Sequence, residues 1–142
     1  MSGFPILAEN CKVSLALAYS ASAGTALNSA SVDMLGFEGV VFFGEMITAN
    51  ASNFCNLATS TDDSSFADLL GTKVTPGTSG DAAMITIHKP LERYIRMEVD
   101  RGGANTAFGT IWAIQYGARK APVTHGTTVD SEVHISVARG TA

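Results

Sequence analysis

Apolar and polar residues alternate along much of the chain, and a period of two marks strands with one buried face. Val13, Leu15, Leu17 and Tyr19 share one side of a first strand, with Ser14, Ala16 and Ala18 on the other. The small second face predicts close packing against another layer or another chain. Residues 20–31 follow as an Ala/Ser/Gly-rich connection without an apolar stripe, with room for a short helical turn. Within residues 37–47, Val40-Val41-Phe42-Phe43 is apolar on both faces, which predicts a doubly buried strand central in a sandwich. Gly36, Gly39 and Gly44 punctuate it and permit a bulge or a close backbone approach.

The next strand is expected over Asn56-Leu57-Ala58-Thr59-Ser60-Thr61, before the polar turn Asp62-Asp63-Ser64-Ser65. Phe66-Ala67-Asp68-Leu69-Leu70 reads as a short strand or a turn of helix, ended by Gly71. Residues 75–81 form a loop by their Pro, Gly, Ser and Asp content. Three strands then alternate clearly. Residues 83–88 turn Ile85 and Ile87 inward, and residues 93–101 place Ile95, Met97 and Val99 on one face. Residues 109–117 separate Trp112, Ile114 and Tyr116 from Ile111, Ala113 and Gln115. A last strand over residues 132–138 is expected to point Val133, Ile135 and Val137 inward. Seven or eight short strands with turns between them and no long helix predict an all-β antiparallel sandwich or barrel. The 142 residues make one domain, with residues 1–12 as an extended N-terminal arm or a first edge strand.

Charge changes the picture. Charged residues make up only 15% of the chain against 46% hydrophobic, with a net charge of −4. Disorder is excluded by that balance, and nucleic-acid binding is disfavoured because it needs clustered Lys and Arg. A sparsely charged exterior suggests that much of the surface meets other protein, the plain alternative being a neutral Ser/Thr surface. The expectation is no nucleic-acid partner and no membrane partner. The start lacks an export signal, and residues 13–32 are too polar for a membrane span. Cys11 and Cys55 are expected as buried thiols in a reducing compartment. Asn50-Ala51-Ser52 fits a glycosylation sequon by chance.

No arrangement of reactive residues stands out. His88, His125 and His134 lack metal-ligand spacing, and no nucleophile elbow occurs. A Cys–His pair, for instance Cys55 with His125, could be assembled by folding, but nothing in the sequence requires it and Cys55 sits among packing residues. Asp62-Asp63 with Asp68 falls short of a calcium loop and reads as a turn cap. The expectation is no enzyme, no metal and no cofactor. Trp112, Tyr116 and Tyr94 belong to the types enriched at interfaces, with core filling the favoured role for Trp112. The charges of residues 89–101, Arg96 among them, fit cross-strand pairing on a solvated or contact face. Arg119-Lys120 is a basic pair suited to an acidic protein surface. The candidate protein-contact residues are Phe4, Ile6, Leu7, Tyr94, Arg96, Trp112, Tyr116, Arg119 and Lys120.

Three segments resemble a known family. They are Ser60-Thr61-Asp62-Asp63-Ser64-Ser65-Phe66-Ala67-Asp68-Leu69 with Gly71-Thr72, Lys89-Pro90 followed by Arg93-Tyr94-Ile95-Arg96, and Ile111-Trp112-Ala113-Ile114-Gln115-Tyr116-Gly117-Ala118-Arg119-Lys120-Ala121-Pro122. Their order and spacing over residues 40–122 resemble the cement, or decoration, proteins on the heads of short-tailed bacteriophages. The resemblance implies a jelly-roll-like sandwich, a homodimer on the outer capsid surface of the virion, and assembly in the host cytoplasm. Its implied partner is the major capsid protein, whose neighbouring copies it would clamp against internal DNA pressure. The competing expectation is a tail or fibre sandwich that recognises carbohydrate, with Trp112 and Tyr116 as a stacking platform.

Overall fold

Most of the long strands bury alternate residues toward one interior, whereas Phe54–Ser60 is buried on both faces. The computed structural model describes residues 6–136 and 138–141. One helical turn, α1 (Leu7–Asn10), precedes eleven strands: β1 (Lys12–Leu17), β2 (Ser20–Ala23), β3 (Leu27–Asn28), β4 (Val32–Asp33), β5 (Gly39–Glu45), β6 (Phe54–Ser60), β7 (Ala67–Asp68), β8 (Ala82–His88), β9 (Tyr94–Asp100), β10 (Thr106–Phe108) and β11 (Ile111–Tyr116). One sheet has the order β1-β11-β5-β8. The facing sheet runs β3-β9-β6-β7, with β4 also paired to β9, and β10 and β2 form a separate ribbon. All pairings are antiparallel.

That order is a jelly roll. With β3 and β4 counted as one position and the ribbon set aside, eight strands remain. First pairs with eighth (β1·β11), second with seventh, third with sixth (β5·β8) and fourth with fifth (β6·β7). The chain is a long hairpin rolled around its own core.

The core lies between the two sheets. Val40, Phe42, Ile85, Ile111 and Ala113 from one meet Cys55, Leu57, Ile95, Met97 and Val99 from the other. A side chain such as Phe42, with no solvent exposure, contributes about 1.5–3 kcal/mol by burial. β5 occupies an interior position between β11 and β8, as its doubly apolar run predicts. In β1 the small residues take the inner side: Ala16 is buried, whereas Val13 and Leu15 lie across from Ile114 and Trp112 on the outside. A register shift between Leu15 and Leu17 ends the regular alternation.

Four expectations need correction. Residues 20–31 contain strands β2 and β3 rather than a helical turn. β2 lacks an apolar face because its anchor is distant. The buried Arg101 guanidinium donates to the carbonyls of Ala21 in β2, Thr106 in β10 and Thr25 between β2 and β3. Leu7–Asn10 is a helical turn, so neither an extended arm nor an edge strand holds there, while Phe4 lies outside the described residues. Residues 132–136 form no strand, and Val133 and Ile135 are exposed instead of inward-facing. Val137 lies outside the described residues. Trp112 belongs to the outer face rather than the core, because Ile111 and Ala113 take the inner positions of β11.

Candidate interaction surfaces

The outer face of the β1-β11-β5-β8 sheet is built as rows of opposed residues. Leu15, Trp112, Phe43 and Met84 make one row, and Val13, Ile114, Val41 and Thr86 the next. In the third row Tyr116 and His88 flank Gly39. The Tyr116 hydroxyl lies 2.9 Å from His88 Nδ1, with the two rings parallel. A Cβ on Gly39 would strike that hydroxyl and come within 2.7 Å of the Ile87 carbonyl oxygen, so the row closes only over glycine. Met84 is 67% exposed, whereas Trp112 and Phe43 are half-buried.

The chain after β11 returns over this face. Gly126 N–H donates to the Val13 carbonyl, and Thr128, Val129 and Asp130 share a groove with Val13, Phe43 and Trp112. His125 fastens this return. Its Nδ1 accepts from Val13 N–H at 3.0 Å, so its Nε2–H donates to the Ala8 carbonyl at 2.9 Å, which defines a neutral imidazole.

A second surface lies where the sandwich loops gather. One groove is lined by residues 34–38, residues 89–93 and Arg119. A neighbouring groove is lined by Thr59, Leu69, Leu70, Thr72, Ile87 and residues 89–92. Leu91 borders both grooves. Leu70 and Leu91 are fully exposed, and Leu35 is 67% exposed. Burial of apolar area drives association, and leucines held out on loops offer that area to a partner.

The loops are rigidly held. Gly71, at φ +79°, turns the chain directly after Leu70. Asp62 Oδ1 accepts from Ser60 Oγ, Ser64 N–H and Ser65 N–H, which keeps its carboxyl below the usual carboxylate range, chiefly through the Ser65 bond. That is the turn-cap role expected of it. Arg93 forks onto Asp33 at 2.7 and 2.8 Å. The Asp33 carboxyl is held below its ordinary range, chiefly by that bond, with Leu35 N–H adding to it. Arg119 N–H donates to the Gly36 carbonyl, and Lys89 N–H to the Glu38 carbonyl.

The sequence candidates divide among these surfaces rather than forming one patch. Trp112 and Tyr116 stand on the outer face just described. Tyr94 and Arg96 lie on the outside of the opposite sheet, where they oppose Ser60 and Ala58. Arg96 binds Glu98 at 2.8 Å and covers the Phe66 ring at 4.1 Å, so its charge is met within the chain. Ile6 and Leu7 are exposed at α1, and Arg119 and Lys120 are exposed after β11, with Arg119 in the loop groove. The exposed leucines escaped the pattern of alternation. Their signal was a leucine set beside Gly or Pro in a turn, as in Leu35-Gly36, Leu70-Gly71 and Pro90-Leu91.

Cys55 and His125 do not meet as a catalytic pair. His125 is committed to Val13 and Ala8, and Cys55 is fully buried with its thiol pushed up to about 12 by burial. Cys11 and Cys55 are both free thiols. Among the described residues no three His, Cys, Asp or Glu side chains gather closely enough to hold a metal, and no helix is long and apolar enough to cross a membrane.

No family model and no curated protein matches the sequence. Among solved structures the chain is similar to the PBSX exported protein XepA. The TM-score is 0.57 at 13% identity, over 96% of this chain and 47% of that one. The likeness is one of fold: an all-β sandwich that spans about half the length of that structure.

Proposed function

We propose that this chain is a non-enzymatic structural protein of a tailed-phage virion. It binds the outer surface of the head as a dimer and clamps neighbouring major capsid proteins against the pressure of packaged DNA. One observation carries the reading. The three segments that resemble phage cement proteins are separate in sequence, yet each contributes to the lining of the two loop grooves. Leu69 and Thr72 come from the first, Lys89, Pro90 and Arg93 from the second, and Arg119 from the third, with the exposed Leu70 and Leu91 directly beside them. Segments shared for the sake of the core alone would not be expected to converge on an exposed surface with leucines at its rim. The all-β sandwich shared with the PBSX exported protein XepA is the fold that the resemblance implies. Many copies on one head add avidity, so each contact can be modest.

Co-sedimentation with undecorated heads tests this reading, with the solution mass measured beforehand. Saturable binding by a dimer is expected. Absence of binding together with a stable trimer would instead favour the tail or fibre module that recognises carbohydrate.

A further inference from the structure

The free edge of β8 and the stretch after residue 130 are complementary. β8 pairs over all seven residues with β5 in unbroken register, and among the described residues no strand lies on its other edge. Exposed edges are usually guarded by a charge, a proline or a bulge. Ala82–His88 carries neither lysine, acid nor proline, and it has no bulge. Such an edge is open to strand addition, in which backbone hydrogen bonds supply affinity and alternate side chains supply fit.

The matching segment is Glu132-Val133-His134-Ile135-Ser136-Val137-Ala138, whose β-branched residues recur at every second position. In the structure Val133 is 42% and Ile135 84% exposed. Among the described residues, 131–136 make no backbone hydrogen bond to another segment. Glu132 and His134 touch at 2.8 Å, and the chain bends at Ile135 and Ser136, the latter at φ +24°, so the stretch must straighten to act as a strand. The preceding residues carry the chain from the β1 edge, at Gly126, across to Trp112 and Phe43 on β11 and β5. Ser131 and Glu132 then share a groove with residues 123–127, on the β1 side of the sheet.

We infer that residues 131–138 of one copy add as a strand to β8 of a second copy, and that the exchange is reciprocal. The exchange joins two copies rather than closing one. In the single chain the start of the tail lies on the β1 side and β8 is at the opposite edge of the sheet, and among the described residues both elements are left unpaired. The inference rests on the dimer of the proposed function and gives that dimer its contact.

The test uses the full chain and a double variant, His134→Pro with Ile135→Pro. An added strand points the N–H of every second residue at β8, so one of two adjacent prolines removes a donor that the pairing needs, and both positions are exposed enough for the domain to fold unchanged, as circular dichroism verifies. The wild type is expected to be a dimer by sedimentation, with slow amide exchange on alternate residues of β8 and within residues 132–138. The variant should be monomeric at the same concentration and lose both sets of protection. A variant that stays dimeric, or protection of these amides in a monomer, overturns the strand exchange. The first result would leave the dimer itself standing. A monomeric wild type would remove the dimer and the exchange together, while head binding, measured separately, still decides the capsid partner.

Discussion

Arg101 is 2% exposed, and among the described residues no carboxylate forms an ion pair with it. Its charge is met by oxygen dipoles: the carbonyls of Ala21, Thr25 and Thr106, with Thr25 Oγ1 at 3.3 Å. Only a planar fork spans acceptors on three segments at once. Arg101→Lys keeps the charge but concentrates its donors at one point, leaving at least one buried carbonyl unpaired. A loss of about 2–4 kcal/mol is expected, since bonds to charged groups contribute about 1.5–3 kcal/mol and orphaned partners add desolvation. Urea unfolding should show a lower midpoint with an unchanged slope. Asp33 acts differently because it is near the surface. Its folded carboxyl titrates below the unfolded value of about 3.9, so the stability it contributes is complete above that value. The contribution is lost as pH falls through the lower, folded value. The melting-temperature gap between wild type and Asp33→Asn should therefore be level from neutral pH to about pH 5 and close below about pH 4. A gap that widened in acid would contradict this assignment.

At the scale of elements, register decides what each side chain does. Gly39 is the position where β5 passes under Tyr116 and beside Ile87. Gly39→Ala must push β11 or β8 away, and overpacking of this kind costs about 1–3 kcal/mol. Loss of the Tyr116–His88 hydrogen bond should accompany it, read as a change in Tyr116 fluorescence or ring NMR shifts. The long strands were legible because their alternation is a local property. Ile95, Met97 and Val99 are buried as their spacing predicts, and the run at Val40 lies in an interior strand. β2 was not legible, because Ser20–Ala23 owes its place to Arg101, almost 80 positions away in the chain. Trp112 misled for a related reason. A strand with Ile111 and Ala113 on one face and Trp112 and Ile114 on the other does not reveal which side is inner. Space decided it: the inner positions of this sheet near β1 are filled by the small residues Ala16 and Ala113. The segment after residue 130 carries a true strand signal, and what it lacks in the single chain is a partner edge.

For the whole molecule, the proposed binding to the head raises the question of which surface would make it. The loop grooves combine exposed leucines with paired charges, the mixture of apolar anchor and polar rim that binding sites use. The β8 edge is assigned to the second copy, which leaves the loop surface for the capsid protein. Leu91→Asp and Leu70→Asp test that division. Both positions are fully exposed, so each variant should melt within about 1 °C of wild type, consistent with the small effects of surface substitutions. Each should also keep the dimer mass. Head binding should weaken by about 30-fold or more, because truncating or charging an anchor costs about 2 kcal/mol or more. Heads carrying the variants should release DNA at the lower temperature of undecorated heads. Full binding by both variants would move the capsid contact away from the loop surface. If Trp112→Ala abolished binding while Leu91→Asp did not, the outer sheet face would take its place. The two outcomes separate because Trp112 and Leu91 lie on different surfaces of the fold, one in a strand row with Leu15 and Phe43 and the other between two loop grooves.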